Sequence, residues 1–399
     1  MATASREDRD RRRLGLTLVA LLLVALNLRP ALTSVSPVLQ RIGESLALSP
    51  AMLGLLTTLP VLCLGLAAPV APRAARRLGA ERAVLAALLV LALALLVRPY
   101  TGTPGLFAGT ALAGGCIGVL GVLLPGLVKR DFPERVSAMT GLYTMTLCLG
   151  AATAAGATEP LRLILGEAWR GALALWLIPA LAAAVIWGLQ PRAPAAATRD
   201  AGPRTRLMRD SLAWQVTLFM GSQSALAYSV FGWLPTILAD RGLAPVTAGL
   251  ALSCSILVQL ISALAAPALG ARMRDQRAVS AGVMALVMIG VAGCIFAPLA
   301  SVWLWIAILG LGQGGSFAMG LTLIAVRARD ADTAADLSAM AQGVGYMLAA
   351  AGPLLVGLLH EAFGGWRAVG VALCLIAAAS MILGLGAGRR AWVGGTDAA

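Results

Sequence analysis

The chain has 399 residues, of which 59% are hydrophobic and only 12% are charged, and its formal net charge is +13. Soluble domains use roughly one-quarter charged residues, so this composition excludes a soluble globular protein. Apolar runs of about 20 residues recur along the whole chain, and each is long enough to cross a bilayer as a helix. Because alternating apolar and polar strand patterns are missing, the sequence predicts an all-α polytopic membrane protein.

Twelve transmembrane helices are predicted in chain order, six in each half of the chain. The first six span residues 14–36, 50–71, 82–99, 104–127, 137–158 and 169–190. The second six span residues 212–238, 246–270, 277–297, 301–326, 337–360 and 366–388. The stretch between the halves is rich in proline and arginine, which is typical of a loop. We therefore predict an N-terminal six-helix bundle (1–190), a cytoplasmic linker (191–211) and a C-terminal six-helix bundle (212–399).

The two halves repeat one pattern of landmarks at offsets of 197 to 201 residues. The first-half landmarks are Val128–Asp131, Ser137–Met139 and Trp169–Arg170, and their second-half counterparts are Val326–Asp330, Ser338–Met340 and Trp366–Arg367. Six spans return the chain to its starting face, so the repeats are related by an axis along the membrane normal. Tandem membrane repeats of this size indicate a transporter with its site between the halves.

Basic residues are distributed unevenly between the two membrane surfaces. Of the 31, 24 fall in segments on the side of the N-terminus. Six fall on the opposite side, at positions Arg41, Arg98, Arg162, Arg170, Arg241 and Arg367. The positive-inside rule then places both termini in the cytoplasm of a multi-pass protein of the cell (inner) membrane. Membrane orientation accounts for the net charge without a nucleic-acid partner.

One basic residue, Arg29, is predicted well inside a span. An arginine there costs several kcal/mol, so it normally faces a bundle interior or an aqueous cavity. One interpretation is a guanidinium that binds an anion in the translocation pathway. The other is a side chain that extends to the far headgroups or braces a backbone carbonyl. The neighbouring Pro30 weakens the helix ladder and frees a carbonyl for a nearby donor.

Several spans carry uncharged polar side chains at predicted depths in the membrane from which they could surround Arg29. Together with Arg29 they form the predicted substrate site, which comprises Asn27, Arg29, Tyr143, Gln223, Tyr228, Gln313, Gln342 and Tyr346. Each of the uncharged residues could instead be a hydrogen-bond partner between helices. No acidic residue is predicted near a span centre, and Glu44, Glu159 and Glu361 are predicted at the membrane surfaces. This balance favours an anionic or neutral polar solute over a cation, with the proton as the candidate coupling ion.

Sequence motifs for other kinds of chemistry are missing. There is no Walker loop, dinucleotide fingerprint or nucleophile elbow, and the six cysteines lack metal-ligand spacing. We therefore predict no enzymatic activity, no cofactor and no metal. A channel would carry polar or charged groups at matched depth in several helices, whereas only one half carries the charge here. The expected partners are a small-molecule solute and the lipid bilayer, and the protein is expected to be a monomer.

Several motifs occur together in a fixed order along the chain. They are Asn27-Leu28-Arg29-Pro30, Leu59-Pro60, Pro125–Pro133, Gly141–Thr144, Trp169–Leu173, Phe219–Ser224 with Tyr228, and Trp233-Leu234-Pro235. In this set the sequence resembles the cyanate permease and 2-nitroimidazole transporter (CynX/NimT-like) branch of the major facilitator superfamily. The resemblance implies a secondary active transporter that moves a small polar or anionic solute, cyanate-like or an organic anion, by alternating access. It leaves open an exporter of neutral small heterocycles or antibacterial compounds resembling 2-nitroimidazole.

One loop departs from the pattern of the wider superfamily. The loop between spans two and three usually carries an acidic residue that pairs with a basic partner. Here that position holds Arg76, within the run Arg73–Gly79. At this position the loop therefore lacks the acidic residue of the usual gating ion pair, and the sequence leaves the pair without an assigned partner.

Overall fold

The computed structural model describes residues 2–67, 69–166, 168–190 and 207–394, with the side chains of 2–13, 137, 331 and 332 left aside. These residues form helices and turns, without a strand among them. In the first half the helices are α1 (Ala2–Leu26), α2 (Pro30–Thr33), α3 (Leu39–Leu46), α4 (Pro50–Ala67), α5 (Val70–Leu78), α6 (Ala80–Val97), α7 (Gly102–Asp131), α8 (Val136–Ile164), α9 (Trp169–Ala174) and α10 (Leu177–Gly188).

The second half consists of seven further helices. They are α11 (Ser211–Asp240), α12 (Pro245–Arg272), α13 (Arg277–Phe296), α14 (Val302–Arg327), α15 (Ala331–Ala349), α16 (Ala351–Phe363) and α17 (Trp366–Ala387). We call the membrane side where α1 begins and α17 ends the terminal face, and the opposite side the far face. Because successive spans run in opposite directions, their ends lie alternately on these two faces.

The predicted twelve-helix, all-α fold is confirmed. Eleven helical segments of the described chain are long and apolar enough to cross a membrane. The twelfth span is α11, which is less apolar than the others but has 22 of its 30 residues buried. The first span consists of α1, α2, the 3₁₀ turn Ser36–Val38 and α3. Residues 191–206 of the predicted linker lie outside the described residues, so the limits 1–190, 191–211 and 212–399 stay predictions.

Side-chain contacts on the terminal face repeat between the halves. The Arg130 guanidinium bonds the Glu81 carboxylate, which joins the end of α7 to the start of α6. In the second half Arg327, 197 residues later, bonds the side chain of Gln276. Glu81 therefore supplies the carboxylate partner that the sequence left unassigned at the first loop. The partner lies two residues beyond Gly79 rather than before it.

The two halves pack closely against each other toward the far face. Glycines allow this approach, because a Cβ at Gly54 of α4 would lie 3.1 Å from the Pro353 carbonyl oxygen and 3.2 Å from the Gly357 Cα of α16. Two hydrogen bonds cross this interface between the halves. Thr58 Oγ1 donates to the Ala350 carbonyl at 2.9 Å, and the backbone N–H of Ala51 donates to the Glu361 carboxylate at 2.8 Å. The far face is therefore closed in this structure.

Three charged residues predicted at the far surface are buried in the structure. Arg98, at the end of α6, has no exposed surface. Glu159 and Arg162 lie within α8, which continues to Ile164 rather than ending near residue 158. Both bonds between them measure 2.9 Å. Because the pair neutralises its own charge, α8 extends beyond the first charged residue.

Candidate functional site

Arg29 lies where the first span is interrupted, between the end of α1 and the start of α2. Its guanidinium carbon lies 5.2 Å from the ring centroid of Phe231 on α11, so it reaches from one half to the other. At this distance a cation–π interaction contributes about 0.5–2 kcal/mol, depending on how dry the site is. No carboxylate in the described ranges pairs with Arg29. The structure therefore places a positive charge without a counter-charge at the junction of the halves.

Tyrosine side chains from three helices lie within electrostatic range of this arginine. The charge of Arg29 acts on Tyr143 of α8, Tyr228 of α11 and Tyr346 of α15. The rings of Tyr228 and Tyr346 meet edge to face with centroids 6.3 Å apart. Phenol groups donate and accept hydrogen bonds, so the cluster offers donors and flat apolar surfaces beside one cation.

A cavity lies next to this cluster, between the two halves. Its empty volume is about 320 Å³, space open to solvent included, and its walls come from the first span, α4, α7 and α11. Tyr228 and Phe231 form part of the wall, as do Thr57 and Thr110. The Thr110 hydroxyl is buried without a hydrogen-bond partner. The cavity is narrow and its walls are mostly apolar, with few polar groups.

The other predicted site residues bond elsewhere. The Asn27 amide donates to the Leu23 and Pro179 carbonyls, and the Gln342 amide donates to Ser338. Gln223 donates to Ser224, and Gln313 accepts from Gln259, while the Gln223 oxygen and the Gln313 nitrogen are buried without a partner. Electrostatic interactions thus link Arg29 to Tyr143, Tyr228 and Tyr346, whereas the hydrogen bonds of these four lead to other groups. All eight remain predictions as substrate ligands.

Two contributors were missed in the sequence, Phe231 and Cys148. Phe231 lies three residues after Tyr228, on the same face of α11, and helical spacing could have indicated it. The Cys148 side chain also lies within the influence of the Arg29 charge. Cysteines in apolar spans read as packing residues, so no sequence signal indicated it.

Arg98 stabilises the interrupted segment of the first span through hydrogen bonds. Its Nη1 donates to the Ala31 carbonyl at 3.1 Å, and its Nη2 lies 3.5 Å from Ser34 Oγ. Ala31 belongs to α2, whose four residues leave carbonyl groups without helical partners. A buried guanidinium therefore supplies the donor for the Ala31 carbonyl, which is left free where α2 ends. Ala31 also lines the central cavity, so this bond fixes part of the wall.

We expect Arg98→Met to destabilise the protein, because it leaves the buried Ala31 carbonyl without a donor. The loss of unfolding free energy should be about 1–3 kcal/mol. Thermal unfolding in detergent measures it. Arg41→Met is the matched control, since the Arg41 side chain is 52% exposed and pairs with Glu44. Equal melting temperatures for the two variants would contradict the bracing role.

Twelve spans in two six-helix halves with a cavity between them are the architecture of a membrane transporter. The profile of the Major Facilitator Superfamily matches residues 17–350, and the chain belongs to this family. It is a multi-pass membrane protein, and its membership supports transport of small solutes rather than an enzymatic role.

Curated relatives identify the branch. The chain is 40% identical to the 2-nitroimidazole transporter of Escherichia coli (strain K12) over 378 residues, covering 93% of this chain and 95% of that protein. It is 30% identical to the cyanate transport protein CynX of the same organism over 351 residues, covering 88% and 91%. The resemblance to the CynX/NimT-like branch is confirmed.

Solved structures agree on the fold. A bacterial homolog of the human lysosomal transporter Spinster, in an inward-facing and occupied conformation, superposes with a TM-score of 0.71 at 17% identity. The match covers 93% of this chain and 92% of that chain.

Proposed function

We propose that the protein is a secondary active transporter that moves a small planar anion across the inner membrane by alternating access. Cyanate-like ions and organic anions with a flat π-system are the solutes that the cavity suits best. The observation that carries the proposal is the Arg29 guanidinium, which faces the Phe231 ring and has no carboxylate partner among the described residues. An anion supplies the missing counter-charge, and a planar one accepts paired hydrogen bonds from the flat guanidinium.

Charge distribution and closure of the far face support an orientation for the transport cycle. The terminal face holds most of the basic residues, which favours placing it and both termini in the cytoplasm. The closed far face is then the outer one, and this structure corresponds to a state closed to the outside. Opening requires the α4–α16 glycine contact to separate while the halves rock about the central cavity.

A second candidate function is export of neutral small heterocycles. The aromatic wall of the cavity favours it, as does the 40% identity to a 2-nitroimidazole transporter. In that case the tyrosine hydroxyl groups and Arg29 would donate hydrogen bonds to nitro oxygens rather than pair with a full charge. The two candidates share one cavity and differ in the charge of the solute.

Uptake by proteoliposomes tests the proposal. Purified protein is reconstituted and given labelled cyanate, benzoate, 2-nitroimidazole or choline, with protein-free liposomes as the control. We expect saturable uptake of the anions and no uptake of choline. Saturable uptake of 2-nitroimidazole with none of cyanate and benzoate supports the second candidate instead. Choline uptake, or no saturable uptake of any probe, contradicts both candidates.

A further inference from the structure

The short helix α5 lies on the terminal face, at the level of the lipid headgroups. It follows α4, whose 18 residues run from the far face and span roughly 27 Å, about the thickness of the hydrocarbon core. α5 packs against α6 and α7, and its inner side carries the buried residues Ala71 and Ala75. The other side of α5 therefore lies at the boundary between lipid and water.

Three arginines cover this outer side of α5. Arg73, Arg76 and Arg77 are all exposed, and we call them the α5 arginine face. Helical geometry places them within about 100° of the circumference, opposite the buried alanines. Arg73 donates to the Pro69 carbonyl at 2.7 Å through one nitrogen only. The guanidinium groups therefore point a concentrated positive charge at the headgroup layer.

Carboxylates do not neutralise this charge. α5 contains no acidic residue, and the usual acidic position of the loop holds Arg76. Two carboxylates lie where α6 and α7 meet, those of Glu81 and Asp131, and both accept from Arg130. Within the described part of the chain, the α5 arginine face thus carries three positive charges without counter-charges.

Exposed apolar side chains lie next to the arginines. Leu66, near the end of α4, is 54% exposed, and Val70, at the start of α5, is 51% exposed. Val70 lies three residues before Arg73 and is its neighbour on the helix surface. A ligand that fits both parts has an anionic head and an apolar body. A phospholipid with a net negative headgroup has both, whereas a soluble anion has only the first.

We propose that the α5 arginine face binds an anionic phospholipid from the leaflet of the terminal face. The guanidinium groups donate paired hydrogen bonds to the phosphate oxygens. Leu66 and Val70 contact the part of the acyl chains nearest the headgroup. Basic clusters at the ends of spans attract anionic lipids in this way. The bound lipid holds α5 in the plane of the headgroups, and this role is independent of the transported solute.

The equivalent loop of the second half lacks this arrangement. It carries Arg272, Arg274 and Arg277, but no helix lies between α12 and α13. Asp275 lies within this run, and its carboxylate is 3.7 Å from Arg277 Nε. The second loop therefore offers arginines of the same membrane face as controls for charge alone.

Lipid binding to the purified protein is the first test. Delipidated protein in a neutral detergent is titrated with phosphatidylglycerol or phosphatidylcholine, and native mass spectrometry counts the bound lipids. One variant carries glutamine at all three positions of the α5 arginine face. The control variant loses equal charge at exposed positions of the same membrane face, through Arg135→Gln, Arg272→Gln and Arg274→Gln.

The variant of the α5 arginine face should bind phosphatidylglycerol about 100-fold more weakly than wild type, because each basic residue near the headgroups contributes roughly a factor of five. The control variant should bind it about as tightly as wild type. Phosphatidylcholine, which has no net charge, should bind weakly to all three proteins. Soluble glycerol phosphate should not displace the bound lipid, because it has no apolar body.

A double variant keeps the test valid if the triple change disturbs folding. Arg76→Gln with Arg77→Gln leaves the bond from Arg73 to the Pro69 carbonyl in place. It should weaken phosphatidylglycerol binding about 30-fold. Because both side chains are exposed, thermal unfolding without added lipid should match that of wild type.

A second measurement locates the lipid. In a variant without the six native cysteines, a fluorophore is attached at Leu78→Cys, next to Arg77, and the protein is placed in bilayer nanodiscs. Phosphatidylglycerol with a spin label near its headgroup should quench this fluorophore more strongly than phosphatidylcholine with the same label. At Met273→Cys, on the second loop and similarly exposed, the two lipids should quench equally.

Equal binding of the two lipids by wild type overturns the proposal. So does wild-type affinity in the double variant, or an equal loss of affinity in the control variant, which would make the effect one of net charge. Displacement by glycerol phosphate would identify a site for free anions and overturn the lipid assignment. Quenching at Leu78→Cys without preference for phosphatidylglycerol would show that the lipid binds elsewhere.

Discussion

Arg29→Gln should reduce the transport of cyanate and benzoate by about 10- to 100-fold, the loss expected when one charge-assisted hydrogen bond worth roughly 1.5–3 kcal/mol is removed. Glutamine keeps hydrogen-bond donors and acceptors but supplies no positive charge. The solute would then enter the central cavity without a counter-charge, while Phe231 keeps its position on α11. Initial rates and half-saturating concentrations in proteoliposomes measure the effect.

Two further variants define what Arg29 supplies. Arg29→Lys keeps the charge and loses the flat guanidinium that lies over Phe231, so we expect an intermediate rate. Arg41→Gln removes an exposed arginine and should leave the initial rate unchanged at saturating solute concentration. Wild-type rates in a correctly folded Arg29→Gln protein would show that the guanidinium is structural. An effect on anions but not on 2-nitroimidazole would indicate that the heterocycle is bound as a neutral molecule.

Gly357→Val should block transport by preventing closure of the far face. A Cβ at this position would lie 3.0 Å from the Gly54 Cα and would overlap the Pro50 carbonyl oxygen across the interface. Such overpacking costs about 1–3 kcal/mol, which shifts a two-state equilibrium by roughly 5- to 150-fold toward the open state. We expect transport to fall by a similar factor. Thr236 of α11 lines a cavity between the halves near the far face, so a membrane-impermeant maleimide should label Thr236→Cys faster, in a variant without the six native cysteines.

Gly282→Val is the control for this experiment. A Cβ at Gly282 on α13 meets nothing within 4 Å, so valine there should leave both transport and labelling unchanged. If Gly357→Val slows transport without accelerating labelling, the glycine contact does not close the far face. Thermal unfolding of each variant separates a conformational shift from a loss of stability.

Much of the fold could be predicted from local sequence signals. Apolar runs gave the helices, and the repeated landmarks gave two related halves, which the Arg130–Glu81 and Arg327–Gln276 bonds confirm. Errors arose where charge was used to end a helix. Glu159 and Arg162 resemble a span boundary in the sequence, yet their mutual bonds allow α8 to continue. Burial of Arg98 depends on the Ala31 carbonyl, which is 67 residues away in the chain, and no local pattern contains that information.

The candidate site was also only partly predictable, because local patterns do not show which residues meet across the interface between the halves. An arginine within an apolar run is conspicuous, so the sequence predicts Arg29 as a site residue, and that role stays a prediction. Phe231 was missed, because an aromatic residue in an apolar helix is ordinary until its partner across the interface is known. The glutamines are predicted as ligands because polar groups inside a membrane are rare, and this stays a prediction beside the hydrogen bonds that each of them makes within the protein.

The low hydropathy of α11 affects how the protein enters the membrane. During synthesis each helix is offered to lipid before its later neighbours exist, and partition into lipid depends on apolar surface. The other spans have enough apolar surface for this partition, whereas α11 is less apolar and has 22 of its 30 residues buried in the folded protein. This helix should insert stably only once later spans can cover it. Reporter fusions cut after α11 should therefore give mixed topology, and fusions cut after α16, where the next-to-last span ends, should give a single one.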